Sequence, residues 1–387
     1  MAYDSLAMKP RILLILFGSL IAAGVASAAE PATITRDDLT RGEVRIVSIS
    51  DGRVHFFGHD HKLVSIDADS LVRIEFPGRD PSQRPWVPSI ELADGQRITG
   101  RLGDDFANPL ALPWVSEHLG AQTLALDDVA SIRFQPASSS DGNASPESDS
   151  VLLANDDRVE GFVDRVNAEG LALDRDGATV QLPWSGIRSL TLANPREPAP
   201  GVWVELADLS TLLADELEVR GSTLRARSLG VEWSTPLDQV LRIRFNRRHN
   251  PVPLGDLPYS IESGGSAFGV QYPPELRSTH AKLHAPISLR FTLPRGATRF
   301  AVDATVALDP PGEAVGNNPT HADLIFVVAD DTGELFRQRL DKEFPTVRVN
   351  VPVSGTLRLT LDDSEGGPVQ DWLLLDDAEV LVSRDSP

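Results

Sequence analysis

The chain has 387 residues, 56 of them acidic and 36 basic, with a formal net charge of −20 and no cysteine. The absence of thiols excludes a disulfide framework and a cysteine nucleophile. The carboxylate excess opposes nucleic acid and anionic membranes, which are gripped by clustered Lys and Arg.

At the amino terminus Lys9 and Arg11 introduce an apolar run from Ile12 to Val25, and Ala26-Ser27-Ala28 supplies a small-x-small cleavage pattern. The run is shorter than the ~20 apolar residues of a bilayer span, so residues 1–28 are expected to be a cleaved signal peptide. An uncleaved anchor is the alternative, and Met8 is an alternative start. Cleavage after Ala28 leaves 34 basic and 55 acidic residues, a net charge of −21. The expected product is exported to the periplasm, cell envelope or medium, without membrane insertion. Its length suits two to four domains.

Internal repetition comes next along the chain. Leu92-Ala-Asp-Gly-Gln-Arg-Ile-Thr-Gly100 aligns without a gap on Leu153-Ala-Asn-Asp-Asp-Arg-Val-Glu-Gly161, and a further copy begins at Leu206-Ala-Asp with Ala214 in place of the glycine. Each copy closes on a similar alternating stretch ending at Phe134, Leu192 or Phe245, and a more diverged copy ends at Phe76. These closing residues are 58, 58 and 53 positions apart, so four copies of one unit are expected. Alternation of apolar and polar residues indicates half-buried strands, and Asp94-Gly95 and Asn155-Asp156 mark tight hairpin turns. Four or five short strands per copy suggest SH3- or Sm-like β-barrel repeats at 29–83, 84–135, 151–193 and 201–247, with Pro113, Pro183 or Pro236 near the last turn. Trp184 and Trp233 fall at similar points and are expected in the core, because a tryptophan buries so much area. Residues 136–150 contain no apolar side chain larger than alanine or proline and are expected to be a disordered linker.

From Tyr259 onward the strands lengthen: 287–293, 299–308, 323–329, 346–353, 356–361 and 371–382. Six to eight strands with almost no helical periodicity predict an all-β, jelly-roll-like sandwich over 256–384. The pattern Leu283-His284-Ala285 before Leu289–Leu293, Phe300 before Val306–Asp309, Asp323–Leu335, Val349–Gly355, Leu357–Asp362, Asp371-Trp372 and Asp377-Ala378 resembles the carbohydrate-binding module family abbreviated NPCBM. The resemblance covers about a third of the chain and implies a β-sandwich that binds a polysaccharide or glycan.

Sugars stack on aromatic rings while polar groups fix their hydroxyls. Trp372, Asp371, His284 and Tyr272 are the candidate ligand residues, against a core role for Trp372 and a structural role for His284. His55, His59 and His61 could hold zinc, though a solvated hairpin tip is the simpler expectation without a fourth ligand. Asp330, Asp331, Asp362 and Asp363 lie in oxygen-rich loops that could hold calcium; no other cofactor is expected. The chain has no Gly-x-Ser-x-Gly elbow, no phosphate-cradling loop and no zinc-protease motif, so it is expected not to be an enzyme. Three readings follow: an exported carbohydrate-binding protein with the repeats as spacer, an interaction scaffold binding other envelope proteins, and an accessory chain of a glycoside hydrolase system.

Overall fold

The computed structural model describes residues 30–77, 85–136, 147–245, 248–267, 270–306, 323–364 and 371–384. The expected signal segment 1–28, the middle of the expected linker (137–146) and Asp309 lie outside them. The described chain is all-β apart from one-turn 3-10 segments. Residues 30–34 with 42–245 form one compact unit, and 35–41 with 248–384 form a second.

The four repeats share one strand plan. In the third, strands Asp149–Leu153, Arg158–Val166, Gly170–Arg175 and Ala178–Pro183 pair antiparallel in succession. A 3-10 turn, Trp184–Gly186, then delivers strand Ile187–Thr191 back onto the first strand. The same 3-10 turn precedes the closing strand in the other copies, at Ala68–Ser70, Leu126–Asp128 and Leu237–Gln239. A meander whose fifth strand returns to its first is the order expected of an SH3- or Sm-like barrel.

The first hairpin turn repeats almost atom for atom. Asp38, Asp94, Asn155 and Asp208 each accept, through Oδ1, the backbone N–H two residues on. The residue between donor and acceptor has positive φ each time: Leu39 (59°), Gly95 (92°), Asp156 (66°) and Leu209 (73°). Asx side chains close such turns by replacing a backbone acceptor. Two diverged copies thus hold leucine where glycine or aspartate is comfortable. Gly161, the glycine of the sequence signature, lies so near the third strand that a Cβ would strike the carbonyl oxygen of Asp174.

The repeats pair with one another through their closing strands. Leu71–Glu75 runs antiparallel to Val240–Phe245, joining the first repeat to the fourth. Val129–Arg133 runs antiparallel to Ile187–Thr191, joining the second to the third. All four contribute to one continuous apolar core. A buried polar knot ties the second repeat to the fourth. Thr99 Oγ1 donates to Asp208 Oδ2 at 2.5 Å and lies 2.7 Å from Ser210 Oγ, while His118 Nε2 stands 3.4 Å from the same carboxylate oxygen. Burial works to raise the Asp208 pKa, but hydrogen bonds from His118, Thr99 and the Ser210 N–H outweigh it and hold the carboxyl far below its usual range.

Three expectations need correction. Strand Asp149–Leu153 begins two residues inside the expected linker: Asp149 is polar by composition, yet its carboxylate accepts the N–H groups of Val163 and Ala193. Trp184 and Trp233 do not occupy equivalent positions. Trp184 opens a 3-10 turn, where the fourth repeat has Leu237, whereas Trp233 lies four residues earlier in strand Val231–Pro236. Pro183 and Pro236 do cap their 3-10 turns, but Pro113 is internal to strand Ala111–Ser116. Trp233 is a buried core residue as expected, and so is Trp114; Trp184 is half-buried against Phe106 and Phe134.

The second unit is a two-sheet sandwich. One sheet has the order Glu275–Arg277, His280–His284, Trp372–Ser383, Ala297–Val306, Thr346–Pro352, with His249–Pro253 also paired to Trp372–Ser383. The other has the order Tyr259–Gly264, Ile287–Thr292, Thr356–Asp363, Leu324–Asp330, Gly333–Leu340. Inward residues of both, among them Leu283, Phe300, Leu373, Phe291, Phe326 and Leu359, form a single core, as aligned sandwich packing requires. The unit is larger than the expected 256–384, because His249–Pro253 is one of its strands and residues 35–41 belong to it. Within that segment Leu39 is fully buried and Arg41 donates to Asp303 and Asp377.

Candidate functional site

Three of the four candidate ligand residues come together at one end of the first sandwich sheet. His284 ends strand His280–His284 and is the direct cross-strand partner of Trp372, the first residue of Trp372–Ser383. Side chains alternate along these strands, so Leu283 and Leu373 enter the core while His284 and Trp372 take the opposite face. Their rings meet edge to face at 4.7 Å. Tyr272 arrives from a separate segment. Gly264 and Gly265 both have positive φ, and a Cβ on Gly264 would collide with the Pro286 carbonyl oxygen. This close approach lets Gly265 N–H donate to that oxygen and Tyr272 N–H donate to the Gly265 carbonyl. The phenol ring is thereby laid flat on the imidazole at 4.2 Å and 9°, and edge-on to Trp372 at 5.5 Å.

The stack leaves His284 only 5% exposed, while Tyr272 and Trp372 are half-buried. Desolvation lowers the His284 pKa, opposed by a backbone hydrogen bond at Ala285 and reinforced by the charge of Lys282. The imidazole is therefore neutral near pH 7, with one ring nitrogen able to donate and the other to accept. Lys282, two residues before His284 and on the same face, holds its Nζ 4.1 Å from the centre of the Trp372 ring. Sequence reasoning passed over Lys282, although the i, i+2 spacing from His284 places it there.

Asp371 is not part of this surface. It is fully buried, one Oδ accepts the Asp323 N–H, and the other has no hydrogen-bond partner among the described residues. Burial pushes its pKa up to about 6, helped by the charges of Asp323 and Asp363. The period-two alternation that turns Trp372 outward turns its neighbour inward.

The calcium candidates lie in two separate loops, 330–334 and 362–367, and residues 365–367 of the second lie outside the described residues. Asp330 pairs with Leu357 and Asp363 with Leu324, at opposite ends of strand Leu324–Asp330, ~20 Å apart at the usual rise per residue. Asp330 accepts from Thr332 and Ser354, and Asp331 from Thr356, so these carboxylates close turns. His55 lies within strand Arg53–Phe57, while His59 and His61 are exposed on the following turn. Among the described residues no group of three or more His, Asp or Glu could hold a metal ion.

No protein-family model matches the chain, and no curated protein matches it. Among solved structures, the CBM51 of Clostridium perfringens GH95 in complex with methyl-galactose is 18% identical, with 34% of this chain and 99% of that one covered and a TM-score of 0.27. The CBM51-2 and INT domains of Clostridium perfringens ZmpB are 15% identical over 48% of this chain and 41% of that one, at 0.27. The tandem CBM51 modules of Sp3GH98 from Streptococcus pneumoniae are 11% identical over 80% and 91%, at 0.26. The sandwich fold stands on the strand pairing described above.

Proposed function

We propose that the chain is an exported, non-catalytic binding protein whose sandwich recognises carbohydrate, with the four repeats as its scaffold. The observation that carries this reading is the corner of Tyr272, His284 and Trp372, gathered from three segments, with Tyr272 stacked on His284 and both edge to face with Trp372. Two half-buried rings offer the apolar surface they leave accessible to sugar C–H groups, and a neutral imidazole beside them can meet a hydroxyl. The signal-like segment 1–28 supports export, and the lack of a catalytic motif supports a binding role. The resemblance to the NPCBM family agrees with both.

The test is binding of the full chain to a panel of polysaccharides and oligosaccharides, alongside Tyr272→Ala with its melting transition monitored. Saturable binding that the variant loses while staying folded supports the reading. Binding unaffected by Tyr272→Ala, or no binding, removes it. Export is tested separately by mass spectrometry, which should find mature protein beginning at Ala29.

One observation favours the interaction-scaffold reading. Tyr259–Gly264 is an edge strand with every residue exposed, including Tyr259 and Ile261 at 45% and 48%. Such an edge can accept a further strand. Pull-down by the full chain that an Ile261→Pro substitution abolishes would support it.

A further inference from the structure

The three strongest features outside the aromatic corner itself are the Thr99–His118–Asp208–Ser210 knot, the exposed edge at Tyr259–Gly264, and Lys282. The knot has every oxygen engaged within itself and joins two repeats. The edge strand carries nothing that specifies what would cover it. Lys282 does specify a ligand chemistry.

Lysine is rare in this chain, four residues in 387, the other cations being arginines. Arginines in the described structure are mostly matched by carboxylates, as in Arg358 with Glu262 and Arg348 with Asp303. Lys282 has no carboxylate within ion-pair distance among the described residues. Its cross-strand neighbours are Leu374 on one side and Glu275 on the other, and Glu275 is 3.9 Å from Arg277. The ammonium instead rests on the Trp372 ring, beside a neutral imidazole. A cation over an indole face is held by the ring quadrupole, and that contact leaves its N–H donors unspent.

This has two consequences for the site. The face of Trp372 under Lys282 is occupied, so a sugar must either use the remaining ring surface or displace the ammonium. A ligand that displaces it gains most if it carries a negative charge to receive it, because hydrogen bonds between ions are about twice as strong as neutral ones. On a chain of net charge −20 an unmatched lysine at the ligand corner is a local reversal of sign. Building on the carbohydrate reading, we infer that this corner selects an anionic sugar, with Lys282 receiving the carboxylate or sulfate while Tyr272 and Trp372 contact the ring.

The experiment compares matched pairs on the full chain: a glucuronate-containing oligosaccharide against its glucose counterpart, and a 6-sulfated galactoside against the unsulfated one. Lys282→Gln and Lys282→Arg are tested in parallel, with the melting transition as a folding control. The expected result is preference of about tenfold or more for one anionic member, weakened by added salt. That preference should vanish in Lys282→Gln and be largely retained in Lys282→Arg. Which pair discriminates tells carboxylate from sulfate. Equal binding of charged and neutral members overturns this inference and leaves the carbohydrate reading standing. A preference that survives Lys282→Gln in folded protein also overturns it. Absence of binding to every sugar overturns both.

Discussion

Replacing Asp371 by asparagine should make the sandwich more stable at neutral pH than at acid pH, relative to the native chain. The carboxyl is fully buried, one oxygen accepts the Asp323 N–H and the other has no partner among the described residues. Burial, with the charges of Asp323 and Asp363, raises its pKa from 3.8 to about 6. Because the folded-state value lies above the unfolded one, the folded state holds the proton more tightly. The stabilisation from that proton is complete below pH 3.8 and is lost as pH rises through 6. Carrying the charge into the buried site above that pH then costs about 3 kcal/mol. Asparagine keeps an acceptor for Asp323 and carries no charge. Its amide N–H groups add a constant offset of about 1–3 kcal/mol if unpaired, but that offset does not vary with pH. The stability of Asp371→Asn relative to the native chain should therefore rise by about 2 kcal/mol between pH 4 and pH 7, most of the full difference. Urea unfolding of the full chain at several pH values measures this, with the sandwich transition followed through hydrogen-exchange protection of peptides from Trp372–Ser383. A difference that stays flat with pH would refute the buried-charge account.

The remaining predictions concern the repeat unit and the turn it repeats. Leu209→Asn should stabilise by about 1 kcal/mol, since Leu209 is 39% exposed at φ 73° and asparagine tolerates that conformation. Leu39→Asn relieves the same strain but should destabilise by about 2 kcal/mol, because Leu39 is fully buried; chemical unfolding distinguishes the two signs. Asp208→Asn should cost about 2–3 kcal/mol at pH 7. The native carboxyl has a lowered pKa, so its contribution is present above 3.8 and fades as pH falls, and the deficit should shrink in acid. Gly161→Ala should lower the melting temperature, through a clash of about 1–3 kcal/mol with the Asp174 carbonyl.

Much of the fold was legible in the chain. Period-two alternation and the recurrent closing stretches located the fifth strand of all four repeats, since a half-buried strand must alternate. The tight turns at Asp94-Gly95 and Asn155-Asp156 were readable from residues that accept positive φ. Their counterparts at Leu39 and Leu209 were hidden, because leucine gives no turn signal and the Asx acceptor one position earlier sets the geometry. The pairing of first repeat with fourth and second with third could not be read, because edge-to-edge contacts leave no local period. In the sandwich, Tyr259–Gly264 and Gly333–Leu340 were missed: edge strands exposed on one or both faces lose the apolar alternation that reveals a strand. Among the site residues, Tyr272, His284 and Trp372 did converge. Asp371 was misjudged from adjacency to Trp372, when neighbours on a strand point to opposite faces. Lys282 was overlooked because only its place over the indole gives it meaning.

The proposed function requires that sugar bind at the corner of Tyr272, His284 and Trp372. The most direct measurement is hydrogen-exchange protection and side-chain footprinting of the full chain, with and without saturating oligosaccharides from the panel. Protection is expected to be confined to residues 270–284 and the start of Trp372–Ser383, with Tyr272 and Trp372 shielded. Protection in the repeat unit instead, or no saccharide able to change either readout, would contradict it.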